Sequence, residues 1–125
     1  MSGVTFDAGG LIALDRNDRR VVVLLARAAE IGARVTVPAT ALAQAIRQPA
    51  RQARLARLVR QPTTEIVPLN GLDATSVGVL LAASHTTDIT DAHVVICARR
   101  ARQAIVTSDP TDLRRLDPTS HLVVV

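Results

Sequence analysis

Short runs of apolar, mostly β-branched residues alternate along the chain with longer stretches in which apolar and polar positions recur at helical spacing. Apolar runs of this length, bounded by turn-forming residues, are typical of strands buried on both faces of a sheet. The strands predicted in this way are Val4–Phe6, Val35–Val37, Ile66–Leu69, Ala104–Thr107 and Leu122–Val125. Strands separated by helices favour a parallel sheet, so the pattern predicts an α/β fold.

The stretches between these strands predict the helices of the fold. They are Asp18–Ile31, Ala39–Arg47, Ala50–Arg60, Asp73–Ala83 and Thr90–Arg102, with a short helix that begins near Pro110. Gly32 lies just past the first of these helices, and Pro49 separates the second from the third. The pair Gly9-Gly10 ends the first strand. No linker or low-complexity segment divides the chain, so we expect residues 1–125 to form one domain.

Composition excludes several classes of protein. Phe6 is the only aromatic residue, which argues against nucleic-acid binders that stack bases on aromatic side chains. The longest apolar runs, such as Val21–Ala26, fall far short of the ~18 residues of a membrane span. No basic and apolar leader opens the chain, so we expect no export. The single Cys97 excludes an internal disulfide and a cysteine-based zinc site, and it fits the reducing cytoplasm.

All fifteen basic residues are Arg, against eleven acids, and the formal net charge is +4. The planar guanidinium of Arg suits phosphate recognition. Five of these residues recur at three- or four-residue spacing, and we call them the Arg ridge: Arg47, Arg51, Arg54, Arg57 and Arg60. They wind around about half of a predicted helix, opposite an apolar arc that contains Leu55, Ala56 and Val59. Two interpretations remain open, a solvated helix face and a surface that contacts phosphates.

Sequence motifs for nucleotide binding or nucleophilic catalysis are absent. The chain has no G-x-x-x-x-G-K-[ST], no G-x-G-x-x-G and no G-x-S-x-G pattern. His85, His93 and His121 are scattered without metal-ligand spacing, and we interpret each as a surface or half-buried residue. Cys97 lies inside an apolar run and is interpreted as a small core residue. Carboxylates are the remaining candidates for chemistry.

Two of the acids follow predicted strands closely. Asp7 comes directly after Phe6, and Asp109 lies two residues past Thr107. In a parallel α/β sheet, ligands bind outside the carboxyl ends of the strands. Both acids are therefore placed where a site is expected.

Two further acids join this edge of the predicted sheet. Asp91 lies in the first turn of the helix Thr90–Arg102, on the same helical stripe as the apolar Val95 and Ala98. Asp112 lies about one helical turn beyond Asp109. Four carboxylates at one edge would repel one another unless a cation lies among them, and Mg²⁺ or Mn²⁺ prefers such oxygen ligands. The pattern therefore predicts a divalent metal site.

Helix capping is the alternative explanation of each acid. Asp7 and Asp109 would each cap the helix that follows, and Asp91 and Asp112 would complement a helix dipole from the first turn. Asp88 lies three residues before Asp91 and is expected to be a helix cap or a supporting group rather than a direct ligand. Three acids at the same edge of one sheet favour a site over three separate caps.

Four segments together carry a resemblance to a known family. They are V-T-F-D-A-G-G-L-I-A-L at 4–14, V-P-A-T-A-L-A-Q at 37–44, D-I-T-D-A-H-V-V-I-C-A at 88–98 and T-S-D-P-T-D-L at 107–113. The chain resembles the PIN domains, and among them the single-domain VapC-type toxins of bacterial toxin–antitoxin pairs. The likeness covers essentially the whole chain. It implies a three-layer α/β/α fold with a central, mostly parallel sheet of short strands, and metal-dependent ribonuclease activity in the cytoplasm.

The resemblance also implies a set of site residues. Asp7, Asp91 and Asp109 would hold Mg²⁺ or Mn²⁺, with Asp112 as an auxiliary catalytic acid. The family usually has a Glu in the helix after the second strand, and the matching position here is Gln44, which keeps an acceptor oxygen but carries no charge. The implied partners are an RNA substrate of the tRNA or rRNA class, a cognate antitoxin and a second copy of the chain.

Two other hypotheses remain open. Gln44 favours a catalytically weakened PIN-like domain that binds RNA or an antitoxin. An unrelated small α/β domain of the phosphotransfer or phosphatase type would also place Mg²⁺ among carboxylates. The absence of Lys counts against a receiver-like domain, which would need a Lys at the sheet edge.

Overall fold

A computed structural model describes residues 3–125, which form a five-stranded sheet in the order β3-β2-β1-β4-β5. The strands are β1 (Val4–Phe6), β2 (Val35–Pro38), β3 (Thr64–Val67), β4 (Ala104–Thr107) and β5 (Leu122–Val124). All four neighbouring pairs are parallel, and Val4 of the central strand lies opposite Val35 on one side and Ala104 on the other. The predicted α/β class is confirmed.

Within residues 3–125, seven α-helices connect the strands. They are α1 (Ala8–Asp15), α2 (Arg19–Glu30), α3 (Ala39–Ala45), α4 (Ala53–Val59), α5 (Gly71–Ser84), α6 (Ile89–Ala101) and α7 (Pro110–Leu116), and Pro49–Arg51 forms a 3-10 turn before α4. From β1 the chain adds β2 and then β3 toward one edge of the sheet, and it then returns past β1 to add β4 and β5 toward the other edge. Because the connections between parallel strands are right-handed, this change of direction places α1 to α4 on one face of the sheet and α5 to α7 on the other. The sheet therefore lies between two layers of helices, which is the predicted three-layer α/β/α arrangement.

The first helix differs from the sequence prediction. The pair Gly9-Gly10 does not end the structured segment but lies inside α1. A Cβ added to Gly10 would lie 2.4 Å from the backbone oxygen of Val106, so the helix can pack this closely on β4 only with glycine there. The local turn signal of two glycines is therefore overridden by close packing of a helix on a strand.

The Arg-rich segment also differs. The helices α3 and α4 are shorter than predicted, because the chain between them turns around the buried side chain of Gln52. The Gln52 carboxamide accepts hydrogen bonds from the backbone of Arg47 and Gln48 and donates one to Ala45. The prediction that Ala56 belongs to the apolar arc is wrong.

On α4, Leu55 and Leu58 are the residues that face the core, while Ala56 is exposed and Val59 is half-buried. All five residues of the Arg ridge are exposed, but only Arg54 and Arg57 lie within the helix. The ridge is therefore spread over a loop, a 3-10 turn and a helix instead of one helical face. Arg54 and Arg57 border an apolar cavity of about 450 Å³ between α2 and α4.

The core is aliphatic and centred on β1, β4 and α6. Every residue of β1 is buried, and Phe6 is fully enclosed. Val94 and Val95 of α6 are also fully buried, which fixes the face that this helix turns toward the sheet. Among residues 3–125, no helix combines the length and the apolar character that a membrane span requires.

Candidate functional site

The candidate site lies where the strand order reverses, between the carboxyl ends of β1 and β4. A parallel α/β sheet opens a crevice at such a point because the chain leaves the two strands toward opposite faces. Asp7 follows β1 and Asp109 follows β4, so the topology brings both to this crevice. Asp91 on α6 and Asp112 on α7 approach from the second face. We call Asp7, Asp91, Asp109 and Asp112 the acidic rim.

Asp7 is buried and hydrogen-bonded at the start of α1. It is only 5% exposed, and its Oδ1 accepts a hydrogen bond from the backbone N–H of Gly10 at 2.7 Å. Burial raises the pKa of Asp7, and the nearby charge of Asp109 raises it further. Hydrogen bonds from Thr107 and Gly10 act on the pKa in the opposite direction. A buried carboxylate beside a second one is a group that gains from a cation.

Asp91 is the carboxylate whose ionisation is most strongly opposed by its neighbours. Burial raises the pKa of Asp91 to about 7, and the charges of Asp88, Asp7 and Asp112 contribute to the shift. The predicted burial of this helical stripe is confirmed, since Val95 and Ala98 are in the core. Asp91 therefore interacts electrostatically with the cap of its own helix and with acids from two other parts of the chain.

Capping explains some of these acids and not others. Asp7 caps α1 through Gly10, and Asp88 caps α6 by accepting a hydrogen bond from the backbone of Asp91 at 2.9 Å. The expectation that Asp88 is a cap is confirmed. Asp109 occupies the N-cap position of α7, but its side chain makes no capping hydrogen bond. Helix capping therefore does not explain why residue 109 is an acid.

A cavity of about 330 Å³ opens beside the rim between α6 and α7. Its lining includes Asp88, Asp91, Asp112 and Arg115. Asp112 lies in the first turn of α7, as predicted. Acids with one adjacent guanidinium give this cavity the polarity that a site for a cation and a phosphate requires.

Gln44 lies on the exposed side of α3. One turn earlier on that helix, Thr40 Oγ1 lies 2.7 Å from Nδ1 of His93, which joins α3 to the helix that carries Asp91. Within residues 3–125, no hydrogen bond joins Gln44 to the acidic rim. Its role in the site stays a prediction.

A second cluster, which no sequence pattern predicted, lies in the core. Asp73 of α5 and His93 and Cys97 of α6 each offer a ligand atom, and these three atoms all lie within 4.8 Å of one another. We call these residues the Asp–His–Cys cluster. No trio of rim carboxylates reaches this closeness among residues 3–125, as like charges favour separation.

The prediction that His93 is a surface or half-buried residue is wrong, because its side chain is fully buried. His85 and His121 are exposed, and Cys97 is a core residue, as predicted. The one feature of the sequence that could have indicated this cluster is the four-residue spacing of His93 and Cys97, which places both side chains on the same face of a helix. Asp73 could not be added to them from spacing, since it comes from another helix.

Comparisons with known proteins bear on the fold. No protein-family model matches the sequence, and no curated protein matches it. Among solved structures, the chain is similar to a chain of VapBC2 from Rickettsia felis, which was solved bound to a DNA fragment from the VapBC2 promoter. The sequence identity is 12%, the alignment covers 98% of both chains, and the TM-score is 0.67. The chain therefore has the fold of this VapBC2 chain, and the predicted resemblance to the VapC-type PIN domains is confirmed at the level of the fold.

Proposed function

We propose that the chain is a divalent-metal-dependent ribonuclease of the toxin type, in which the acidic rim binds Mg²⁺ or Mn²⁺. The observation that supports this most is the electrostatic environment of Asp91, whose pKa is raised to about 7 by burial, by the neighbouring cap residue Asp88, and by Asp7 and Asp112 from other elements. Clustered like charges at the crevice of a parallel sheet are costly without a counter-ion. The likeness of the fold to a VapBC2 chain supports the same conclusion.

The donor set of the rim fits a hard cation. Asp7, Asp91 and Asp109 supply carboxylate oxygens, which Mg²⁺ and Mn²⁺ prefer over nitrogen or sulfur. When bound, such a cation neutralises charge on a phosphodiester and lowers the pKa of a water molecule. Asp91 must lose its proton before it can act as a ligand, since its pKa lies near 7.

The other residues of the site would act on substrate and water. Asp112 and Gln44 are proposed to orient the attacking water through their oxygen atoms. Arg115 lines the same cavity as Asp112 and is proposed to contact a phosphate of the substrate. Attack by water instead of the ribose 2′-hydroxyl leaves a 5′-phosphate on the product. RNA, of the tRNA or rRNA class, is the substrate that the resemblance implies.

Cleavage of labelled RNA by the purified chain tests this function. We expect hydrolysis that requires Mg²⁺ or Mn²⁺, stops with a chelator, and leaves 5′-phosphate ends. RNA that is bound but not cleaved with either metal would favour the alternative, a catalytically weakened domain. The specific observation in favour of that alternative is Gln44, which is both uncharged and exposed. Transfer of phosphate to the protein itself would instead indicate a phosphotransfer domain.

A cognate antitoxin and a second copy of the chain are the proposed protein partners, in the cytoplasm. The support for a second copy is the mean hydropathy of +0.24 together with exposed apolar side chains on α5, such as Leu72 and Val79. Residues 1–125 are proposed to act as one domain in these complexes.

Replacement of Gln44 by Glu is expected to tighten Mg²⁺ binding and to maintain or raise cleavage. An added carboxylate increases the negative charge available to the cation. Gln44→Ala is expected to cost less activity than Asp91→Ala, because a neutral group contributes less than a charged one. Calorimetric titration with Mg²⁺ and cleavage rates measure both effects. Gln48→Glu is the matched control, since Gln48 is also exposed and gains the same charge. If all Gln44 variants behave like this control, Gln44 lies outside the site.

Replacement of Arg51, Arg54 and Arg57 by Gln is expected to weaken RNA binding without changing the chemistry. The slope of log affinity against log salt should fall by about 0.7 for each phosphate of single-stranded RNA that the variant no longer neutralises. Binding measured over a range of salt concentrations gives this slope. The control removes three exposed arginines outside the ridge, Arg27, Arg34 and Arg114. Equal slopes for the two triple variants would mean that the ridge is only a solvated surface.

A further inference from the structure

Three buried side chains outside the acidic rim converge on one point in the core. The Asp73 carboxylate comes from α5, and the His93 imidazole and the Cys97 thiol come from successive turns of α6. Their exposures are 2%, 0% and 2%, and their ligand atoms all lie within 4.8 Å of one another. Carboxylate oxygen, imidazole nitrogen and thiolate sulfur are the three ligand types that Zn²⁺ accepts in proteins.

The spacing of Asp73 and His93 suits a shared cation better than a hydrogen bond. Asp73 Oδ2 and His93 Nε2 lie 3.4 Å apart, an ion-pair distance when His93 is protonated, but neither atom makes a hydrogen bond of ordinary geometry among residues 3–125. An N–H···O hydrogen bond is usually about 2.7–3.2 Å long. Two ligand atoms bound about 2.0–2.1 Å from a tetrahedral Zn²⁺ lie about 3.4 Å apart. The two side chains therefore already span one edge of that tetrahedron.

The surrounding groups orient both ligands toward the same point. Thr40 Oγ1 lies 2.7 Å from His93 Nδ1, and when Nδ1 donates this hydrogen bond, Nε2 keeps its lone pair. Arg100 binds Asp73 through Oδ1, which leaves Oδ2 facing His93. Metal-binding histidines and carboxylates in proteins are commonly held by outer hydrogen bonds of this kind.

We propose that the Asp–His–Cys cluster is a second metal site, which binds Zn²⁺ and ties α5 to α6 in the core. The single Cys97 still excludes the zinc motifs that use several cysteines, but the broader prediction that it excludes any cysteine-based zinc site does not cover this cluster, in which one sulfur joins an oxygen and a nitrogen ligand. All three side chains are buried, so the ion binds as the chain folds. The proposal does not depend on RNA cleavage or on the acidic rim.

Refolding of the full chain with Co²⁺, a coloured substitute for Zn²⁺, tests this site. Cys97 is the only cysteine, so a thiolate-to-cobalt charge-transfer band can arise from this residue alone. We expect the band to saturate at one Co²⁺ per chain and to disappear when Zn²⁺ displaces Co²⁺. The Asp7→Asn/Asp91→Asn double variant, which impairs only the rim, should keep the band. Cys97→Ser should lose it, and Thr40→Val should lower the Co²⁺ affinity about 10–100-fold.

A measurement on the unmodified chain keeps the test independent of how the variants fold. X-ray absorption of the chain refolded with one equivalent of Zn²⁺ should show sulfur at about 2.3 Å and nitrogen or oxygen at about 2.0–2.2 Å. Three results would overturn the proposal: a zinc shell without sulfur, no charge-transfer band with Co²⁺, or a band that requires two chains for each ion.

Discussion

Replacement of Asp91 by Asn is expected to abolish metal-dependent RNA cleavage while stabilising the protein in the absence of metal. Mutation of groups that merely support a metal ligand costs about 10–100-fold in metal affinity or activity, so loss of a ligand charge should cost about 100-fold or more. Cleavage rates measured at saturating Mg²⁺ test this loss. Asp18→Asn is the matched control, because it removes an acid at the cap of α2, outside the rim, and Asn also caps helices.

The expected stabilisation follows from the pKa of Asp91, which burial and neighbouring acids raise from 3.8 to about 7 in the folded chain. The folded state binds this proton more tightly than the unfolded state, so Asp91 lowers stability as the pH rises from about 4 to 7. Asn does not ionise, so the Asp91→Asn variant does not lose this stability as the pH rises. The gain is expected to be on the order of 2 kcal/mol at pH 8, discounted for partial exposure, and to vanish near pH 4.

Thermal unfolding in chelator at several pH values measures this gain. A lower melting temperature for Asp91→Asn at pH 8 would contradict the expected stabilisation. It would instead show that the carboxylate stabilises α6 from its first turn.

Binding of Mg²⁺ is expected to tighten about tenfold between pH 6 and pH 8. With a pKa of about 7, the ionised fraction of Asp91 rises from roughly 9% to roughly 91% over this range. Calorimetric titration in buffers of different ionisation enthalpy measures the affinity and the number of protons released. We expect up to one proton released per cation near pH 6 and less above pH 8.

The Asp91→Asn variant is the control for this pH dependence. Its residual Mg²⁺ affinity should vary much less with pH, because the group that titrates near neutrality is gone. If the unmodified chain shows the same flat profile, Asp91 does not ligate the cation.

Most strands and the positions of the rim acids were accessible from the sequence because both follow from local patterns, but β3 is Thr64–Val67 instead of the predicted Ile66–Leu69. The bounds of β1 and β4 are as predicted, since these buried runs are short, β-branched and closed by polar residues. Asp7 and Asp109 could be placed because the carboxyl ends of parallel strands share an edge. The burial beside Asp91 followed from helical periodicity.

Features that depend on contacts between distant elements were not accessible. The helix α1 was missed because Gly9-Gly10 has the composition of a turn, whereas close packing against Val106 requires glycine at that point. The turn around Gln52 shortened two predicted helices through hydrogen bonds that no sequence period encodes. The Asp–His–Cys cluster depends on how α5 packs against α6, which brings Asp73 to residues 20 and more positions away.

Crystals of the chain soaked with Mn²⁺ offer the most direct test of the acidic rim as a metal site, because the anomalous signal locates the ion. We expect a peak between the carboxylates of Asp7, Asp91 and Asp109, and the loss of that peak in Asp91→Asn crystals. A Mn²⁺ peak that lies only elsewhere in the chain, or none at millimolar concentration near these three residues, would contradict the proposed site.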